Sequence, residues 1–163
     1  SIAFVGASGR ANTPGHDMLR TIRRGGYAGT AWGVNPNYRE IEGFACVPSL
    51  SDLPAAPDLA VLSVRNERLE ETLAEAIAVG ARSAVIFASG FLAEDRDPPL
   101  AARLAAMARA AGLPICGGNC MGFYNDEAGF WAAGFPSARE AKPGHIAFIS
   151  HSGSVFGAIG TTS

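Results

Sequence analysis

The chain has 163 residues, 48% hydrophobic and 17% charged, enough to bury one core and to begin a second. Its 13 basic and 15 acidic side chains leave a net charge of −2, unlike the basic excess of a nucleic-acid binder. No apolar run reaches the roughly 18 residues of a membrane span, no leader pattern follows Ser1, and three cysteines are too few for a disulfide framework; a soluble, cytoplasmic protein is expected.

Short runs rich in Val, Ile and Phe alternate with helix-length amphipathic stretches. Ile2–Val5 reads as a buried strand that ends in Gly6-Ala7-Ser8-Gly9, and residues 17–24 as a helix stopped by Gly25-Gly26. Ala31–Val34 is a second strand, cut by Asn35-Pro36 because proline cannot continue a ladder. After a turn-rich section with an extended piece at Phe44–Val47 comes a strong strand over 59–64. Asn66 is placed to cap the next helix, whose Leu69, Leu73, Ile77 and Ala78 recur at near-helical spacing before Gly80. A strand over 84–88, a helix over 99–111 stopped by Gly112, and a strand over 113–116 complete the series.

Near the end, Lys142-Pro143-Gly144 reads as a turn and 145–149 as a strand. It runs into the polar loop Ser150-His151-Ser152-Gly153-Ser154, which could open a helix. Strands alternating with helices imply a Rossmann-like, doubly wound α/β fold with a parallel sheet. The expected organisation is one domain over residues 1–140 and the beginning of another over 141–163.

Ligands of such sheets bind beyond the carboxyl ends of the strands. Here those ends carry Gly6-Ala7-Ser8-Gly9, Asn35-Pro36-Asn37-Tyr38, Ser63-Val64-Arg65-Asn66, Ser89-Gly90-Phe91 and Gly118-Asn119-Cys120-Met121-Gly122. Turns alone also favour Gly, Ser and Asn, so any single loop can be explained without a ligand. The first loop is the natural phosphate site, since glycines expose backbone N–H groups and a helix N-terminus follows. Gly6, Gly9 and Gly15 nevertheless miss the G-x-G-x-x-G spacing. A dinucleotide site also wants an acid about 20 residues on, for the ribose. No Asp or Glu occurs between Asp17 and Glu40.

Several segments together resemble the CoA-binding domain of the NDP-forming acyl-CoA synthetases, relatives of the succinyl-CoA synthetase α subunit. They are residues 2–8, 34–38, Ile41 with Gly43, Pro48-Ser49-Leu50 to Leu53-Pro54, and 58–61. Ser89-Gly90-Phe91, Asn119-Cys120-Met121-Gly122 and 146–153 complete the set. The resemblance implies that Gly6, Ser8 and Gly9 hold CoA phosphates and that Asn35, Pro36 and Asn37 line the nucleotide side. Ser63, Val64 and Arg65, with Ala88, Ser89 and Gly90, would flank the adenine and pantetheine, and Asn119 and Cys120 the thiol end. Ser152 and Gly153 resemble a phosphate-receiving loop of a flavodoxin-like second domain. The implied reaction makes acyl-CoA from a carboxylic acid, CoA and ATP through a phosphohistidine. An ATP-grasp domain or β subunit supplies ATP/ADP and Mg2+ chemistry, within an oligomer. The phosphorylated histidine of the family falls later than this chain reaches, so the chain is expected to be too short to catalyse by itself.

Residues 159–162 resemble a motif found later in the second domain of such proteins, as if a segment after Ala158 were missing. Arg65 stands where the family usually has proline, and it suits either a phosphate contact or a solvated position. Cys120 reads as packing rather than as a nucleophile, and Cys116 with Cys120 lacks the partners of a zinc site. His16 reads as a residue of the first helix start, either in the loop or touching ligand. Phe130, Trp131 and Phe135 read as an exposed apolar flap, and Asp95-Arg96-Asp97 as a solvated loop. Two other functions compete: a non-catalytic CoA- or nucleotide-binding regulatory module, and an NAD-binding oxidoreductase domain.

Overall fold

The structure is a computed structural model that describes residues 1–133, 143–155 and 158. β1 (Ile2–Val5) leads through a loop into α1 (Pro14–Gly25), followed by β2 (Ala31–Val34), β3 (Glu40–Ile41) and β4 (Phe44–Val47). A 3-10 turn, Leu50–Asp52, precedes β5 (Leu59–Leu62), α2 (Asn66–Ala78) and β6 (Ala84–Ile86). α3 (Leu100–Ala111), β7 (Ile115–Cys116) and the hairpin of β8 (Gly122–Asn125) and β9 (Phe130–Ala133) complete it.

One sheet runs β3-β4-β2-β1-β5-β6-β7. Every pairing in it is parallel except that of β3 with β4. Counted in chain order, its six parallel strands lie 3-2-1-4-5-6, the doubly wound arrangement. Register then fixes where the loops meet. Val5 pairs with both Val34 and Leu62, Val34 with Val47, and Leu62 with Ile86. Five strands therefore end in one row, and the loops after them converge on one edge.

Alternation along β1 divides the core. Ala3 and Val5 face one side with Leu69, Leu73 and Leu104 of α2 and α3. Ile2 and Phe4 face the other with Met18, Leu19 and Ile22 of α1. Both faces are covered, which is why the strands read as unbroken apolar runs.

Several expectations shift. α1 starts at Pro14, three residues early, because proline suits the first helical turn, and Thr13 precedes it as N-cap. β5 stops at Leu62, where Ser63 turns towards α2. Asn66 is the first residue of α2 and its side chain caps nothing there. Phe130 and Trp131 form no exposed flap: they lie in β9, 6% and 3% exposed, and the hairpin packs against α1. Trp131 Nε1 donates to Asp126 Oδ1 at 2.9 Å, so the indole is satisfied as well as buried.

The loop 95–97 is not merely solvated. Asp95 Oδ2 accepts from the Leu100 N–H at 2.6 Å, and Arg103 Nη1 bonds Asp95 Oδ1 at 2.9 Å. Arg103 Nε also meets Glu70 Oε2 at 3.1 Å, tying this loop to α2 and α3.

Residues 145–149 form no strand, and Ile146 and Ile149 are 93% and 94% exposed. A strand exists through its ladder, and no strand among the described residues pairs with this segment. Phe135, Lys142, residues 159–162 and the expected boundary at residue 140 lie outside the described residues. No helix among the described residues is long and apolar enough to cross a membrane.

Candidate functional site

The switch point lies between β1 and β5, where the strand order reverses. Gly6 leaves β1 with φ +91°, and a Cβ there would collide with the Ser63 carbonyl oxygen. Gly15, in the first turn of α1, packs so closely that a Cβ would collide with the Gly6 carbonyl oxygen and lie 3.3 Å from the Ser8 nitrogen. These two glycines let the loop pass between β5 and the helix start. The G-x-G-x-x-G spacing is absent, yet close approach of strand, loop and helix is achieved over a longer loop.

Within that loop the Arg10 N–H donates to Ser8 Oγ at 3.1 Å, and the Thr13 hydroxyl donates to the Arg10 carbonyl at 2.7 Å. The main-chain N–H groups of Ser8 and Gly9 have no acceptor among the described residues. Gly9 is exposed and faces Tyr38, whose Cε1 would lie 2.7 Å from a Cβ at position 9. Open amides before a helix N-terminus form an anion cradle.

Asn35 joins the second loop to the first: its Nδ2 donates to the Ala7 carbonyl at 2.7 Å, and its Oδ1 accepts from the Asn37 N–H at 2.9 Å. The place where a ribose-binding acid would stand thus holds a neutral side chain already committed to shaping the loop. Asn37 itself is exposed.

Gly6, Asn35, Pro36 and Val64 line a cavity of about 130 Å³ at the switch point. Arg68, Thr72 and Glu75 of α2 close it. Arg65 is exposed and is the N-cap of α2. A larger apolar groove of about 510 Å³ lies against α3 and β7, touching Ser89, Gly90 and Gly118. Of the two, the smaller cavity is the one that Gly6 of the first loop lines.

Asn66 links the β5 and β6 ends. Its Nδ2 donates to Ser89 Oγ at 3.1 Å and its Oδ1 accepts from the Gly90 N–H at 2.9 Å. Beyond β7 the Asn119 N–H donates to the Ala88 carbonyl at 2.7 Å, and Asn119 has φ +58°. Cys120 is half-buried; burial, partly offset by the Gly122 N–H, pushes its thiol up to about 11, so it is protonated at neutral pH. A Cβ at Gly153 would lie 3.1 Å from Met121 Cγ, so the Ser152-Gly153 loop sits beside the loop after β7. The Val155 N–H donates to Ser152 Oγ at 3.4 Å, at the start of a helical turn.

His16 lies in the first turn of α1, buried, with Nε2 2.8 Å from Glu42 Oε1. It ties the helix start to the turn between β3 and β4. Tyr38 and Asn66 stand among the strand-end residues read from the sequence, though their contacts were not foreseen. Arg68 is the site neighbour that sequence reasoning missed, and its one signal is that it falls three residues after Arg65 in the first turn of α2.

A doubly wound sheet with an amide-lined loop at its switch point defines an α/β domain of the nucleotide-binding class. The particular family is narrower: residues 1–126 match the family described as "CoA binding domain", and the chain belongs to it. It is homologous to ADP-forming acetate–CoA ligases. It is 32% identical over 158 residues to acetate–CoA ligase [ADP-forming] II of Archaeoglobus fulgidus, covering 96% of this chain and 23% of the relative. A solved structure of Ca. Korarchaeum cryptofilum acetyl-coenzyme A synthetase 1, in complex with phosphate and ADP, is 30% identical with a TM-score of 0.87. That match covers 98% of this chain and 34% of the other. A hypothetical protein from Pyrococcus horikoshii OT3 is 27% identical with a TM-score of 0.58, covering 74% of this chain and 77% of that one. The chain therefore spans about a quarter of the length of the curated ligase it matches.

Proposed function

We propose that this chain is the CoA-binding part of an NDP-forming acid–CoA ligase. In that reading residues 1–140 hold CoA, and residues 141–163 begin a flavodoxin-like, succinyl-CoA-ligase-like domain. The phosphohistidine, ATP/ADP and Mg2+ belong to regions outside these 163 residues, such as an ATP-grasp domain or β subunit. Bound CoA would supply the thiol that accepts the acyl group of a small carboxylic acid.

The observation that carries the reading is the pairing of an open-amide loop with a neutral Asn35 tied to Ala7. The first suits the phosphates of CoA; the second puts no carboxylate at the end of β2, the place from which the ribose diol of NAD is held. Ser8 and Gly9 then hold phosphate, and Asn35, Pro36 and Asn37 shape the nucleotide side. Ser63, Val64, Arg65, Ala88, Ser89 and Gly90 flank the adenine and the pantetheine arm. Asn119 and Cys120 stand at the thiol end, and Ser152 and Gly153 form the phosphate loop of the second domain.

Gly9→Asp compared with Gly9→Ala tests this. Either substitution must displace the Tyr38 ring, because both add a Cβ, but only aspartate adds charge. Gly9→Asp is expected to weaken CoA at least about tenfold more than Gly9→Ala, a difference of about 1.4 kcal/mol. Equal affinities for the two variants would remove the phosphate assignment.

A second reading is a stand-alone CoA- or nucleotide-binding module. The Pyrococcus horikoshii protein favours it, because most of that chain is matched. A downstream histidine in a Gly-rich loop plus an ATP-grasp region, if found in a longer sequence containing this chain, would decide for the ligase.

A further inference from the structure

Cys116 closes β7 and is exposed; Cys120 lies four residues on and is half-buried. Their sulfurs are 3.6 Å apart, and both are free thiols. Between them runs the Gly117-Gly118-Asn119 turn, held to the end of β6 through the Asn119 N–H on Ala88 and the Cys120 N–H on the Ile86 carbonyl at 3.3 Å. A disulfide needs the sulfurs at about 2.05 Å, so they have about 1.5 Å left to close. No cluster of His, Cys, Asp or Glu among the described residues could hold a metal ion there.

We propose that Cys116 and Cys120 are a thiol–disulfide exchange site, whose co-reactant is a low-molecular-weight disulfide. The accessible Cys116 thiolate attacks one sulfur of R–S–S–R, forming a mixed disulfide and expelling one RS⁻. The Cys120 thiolate then attacks Cys116 Sγ and expels the second RS⁻. Two cysteine thiols are oxidised, one disulfide is reduced to two RSH, and the two cysteine protons pass to the leaving thiolates. Cys116 acts first because it is exposed; Cys120 resolves because it is already in contact. Burial raises the Cys120 thiol above its ordinary range, so the second step quickens as pH rises. The site does not depend on the CoA reading, since it uses only these two sulfurs.

The test treats the reduced, folded chain with excess oxidised glutathione and follows intact mass and free thiols. Wild type should end with two thiols lost, a mass lower by two hydrogens and Cys46 still free. Cys120→Ser should stop at a glutathione adduct on Cys116, and Cys116→Ser should lose the fast phase. Three results would overturn the proposal: a lasting glutathione adduct on wild type, a disulfide that includes Cys46, or Cys116→Ser reacting as fast as wild type. The wild-type stoichiometry stands without either variant.

Discussion

Gly15→Ala sets two effects of known sign against each other. Position 15 is helical, so alanine gains up to about 1 kcal/mol of helix propensity. The added Cβ, however, collides with the Gly6 carbonyl oxygen and lies 3.2 Å from the Gly6 carbonyl carbon. To restore ordinary contact the start of α1 must retreat by on the order of 1 Å. Such overpacking costs about 1–3 kcal/mol. With the full propensity gain the net loss is up to about 2 kcal/mol, read as a fall in Tm of up to roughly 8 °C. Because the same helix start borders the Ser8-Gly9 amides, CoA affinity should fall about tenfold as well. Gly26→Ala is the control: φ is +76° and nothing lies within 4 Å of a Cβ there. It should cost about 1 kcal/mol through backbone strain alone and leave CoA affinity unchanged. Thermal denaturation and calorimetry on both variants decide the matter. A Gly15→Ala protein more stable than wild type, or one with unchanged CoA affinity, would refute the claim that this glycine shapes the loop.

Two further predictions concern the scaffold. Trp131→Ala should cost about 3–5 kcal/mol as a buried aromatic, measured by chemical denaturation; a loss within about 0.5 kcal/mol would return Trp131 to the surface. Asp95 is held below the usual carboxylate range by the Leu100 N–H and by Arg103, against the opposing effect of burial. Its contribution is therefore present above the ordinary carboxylate range and is lost as pH falls through its lowered value. Asp95→Asn should lower Tm at pH 7 and converge with wild type in acid; a difference independent of pH would contradict the pairing.

The parallel strands were legible because both faces of the sheet are covered. β1, β2 and β4 fall where their Val, Ile and Phe runs predict, and the turns after them follow from Gly6 and Asn35-Pro36. β3 was not legible: Glu40–Ile41 is too short to show alternation and exists only through its antiparallel pairing with β4. The β8–β9 hairpin was misread because its aromatic residues give no clue to what they pack on. That partner is α1, about a hundred residues earlier in the chain. That the strand-end loops would share one edge was readable from chain order, since a parallel sheet brings all carboxyl ends together. Their wiring was not: the bonds of Asn35 to Ala7 and of Asn66 to Ser89 and Gly90 join loops distant in sequence. Asn66 in particular carries a capping signature while its side chain serves the neighbouring loop.

The central claim is that the open-amide loop at the switch point holds CoA. Calorimetric titration of this chain with CoA and, separately, with NADH tests it most directly. The account predicts saturable binding of CoA and no measurable heat of binding with NADH. Tight NADH binding with no CoA binding would contradict it and return the chain to the oxidoreductase class.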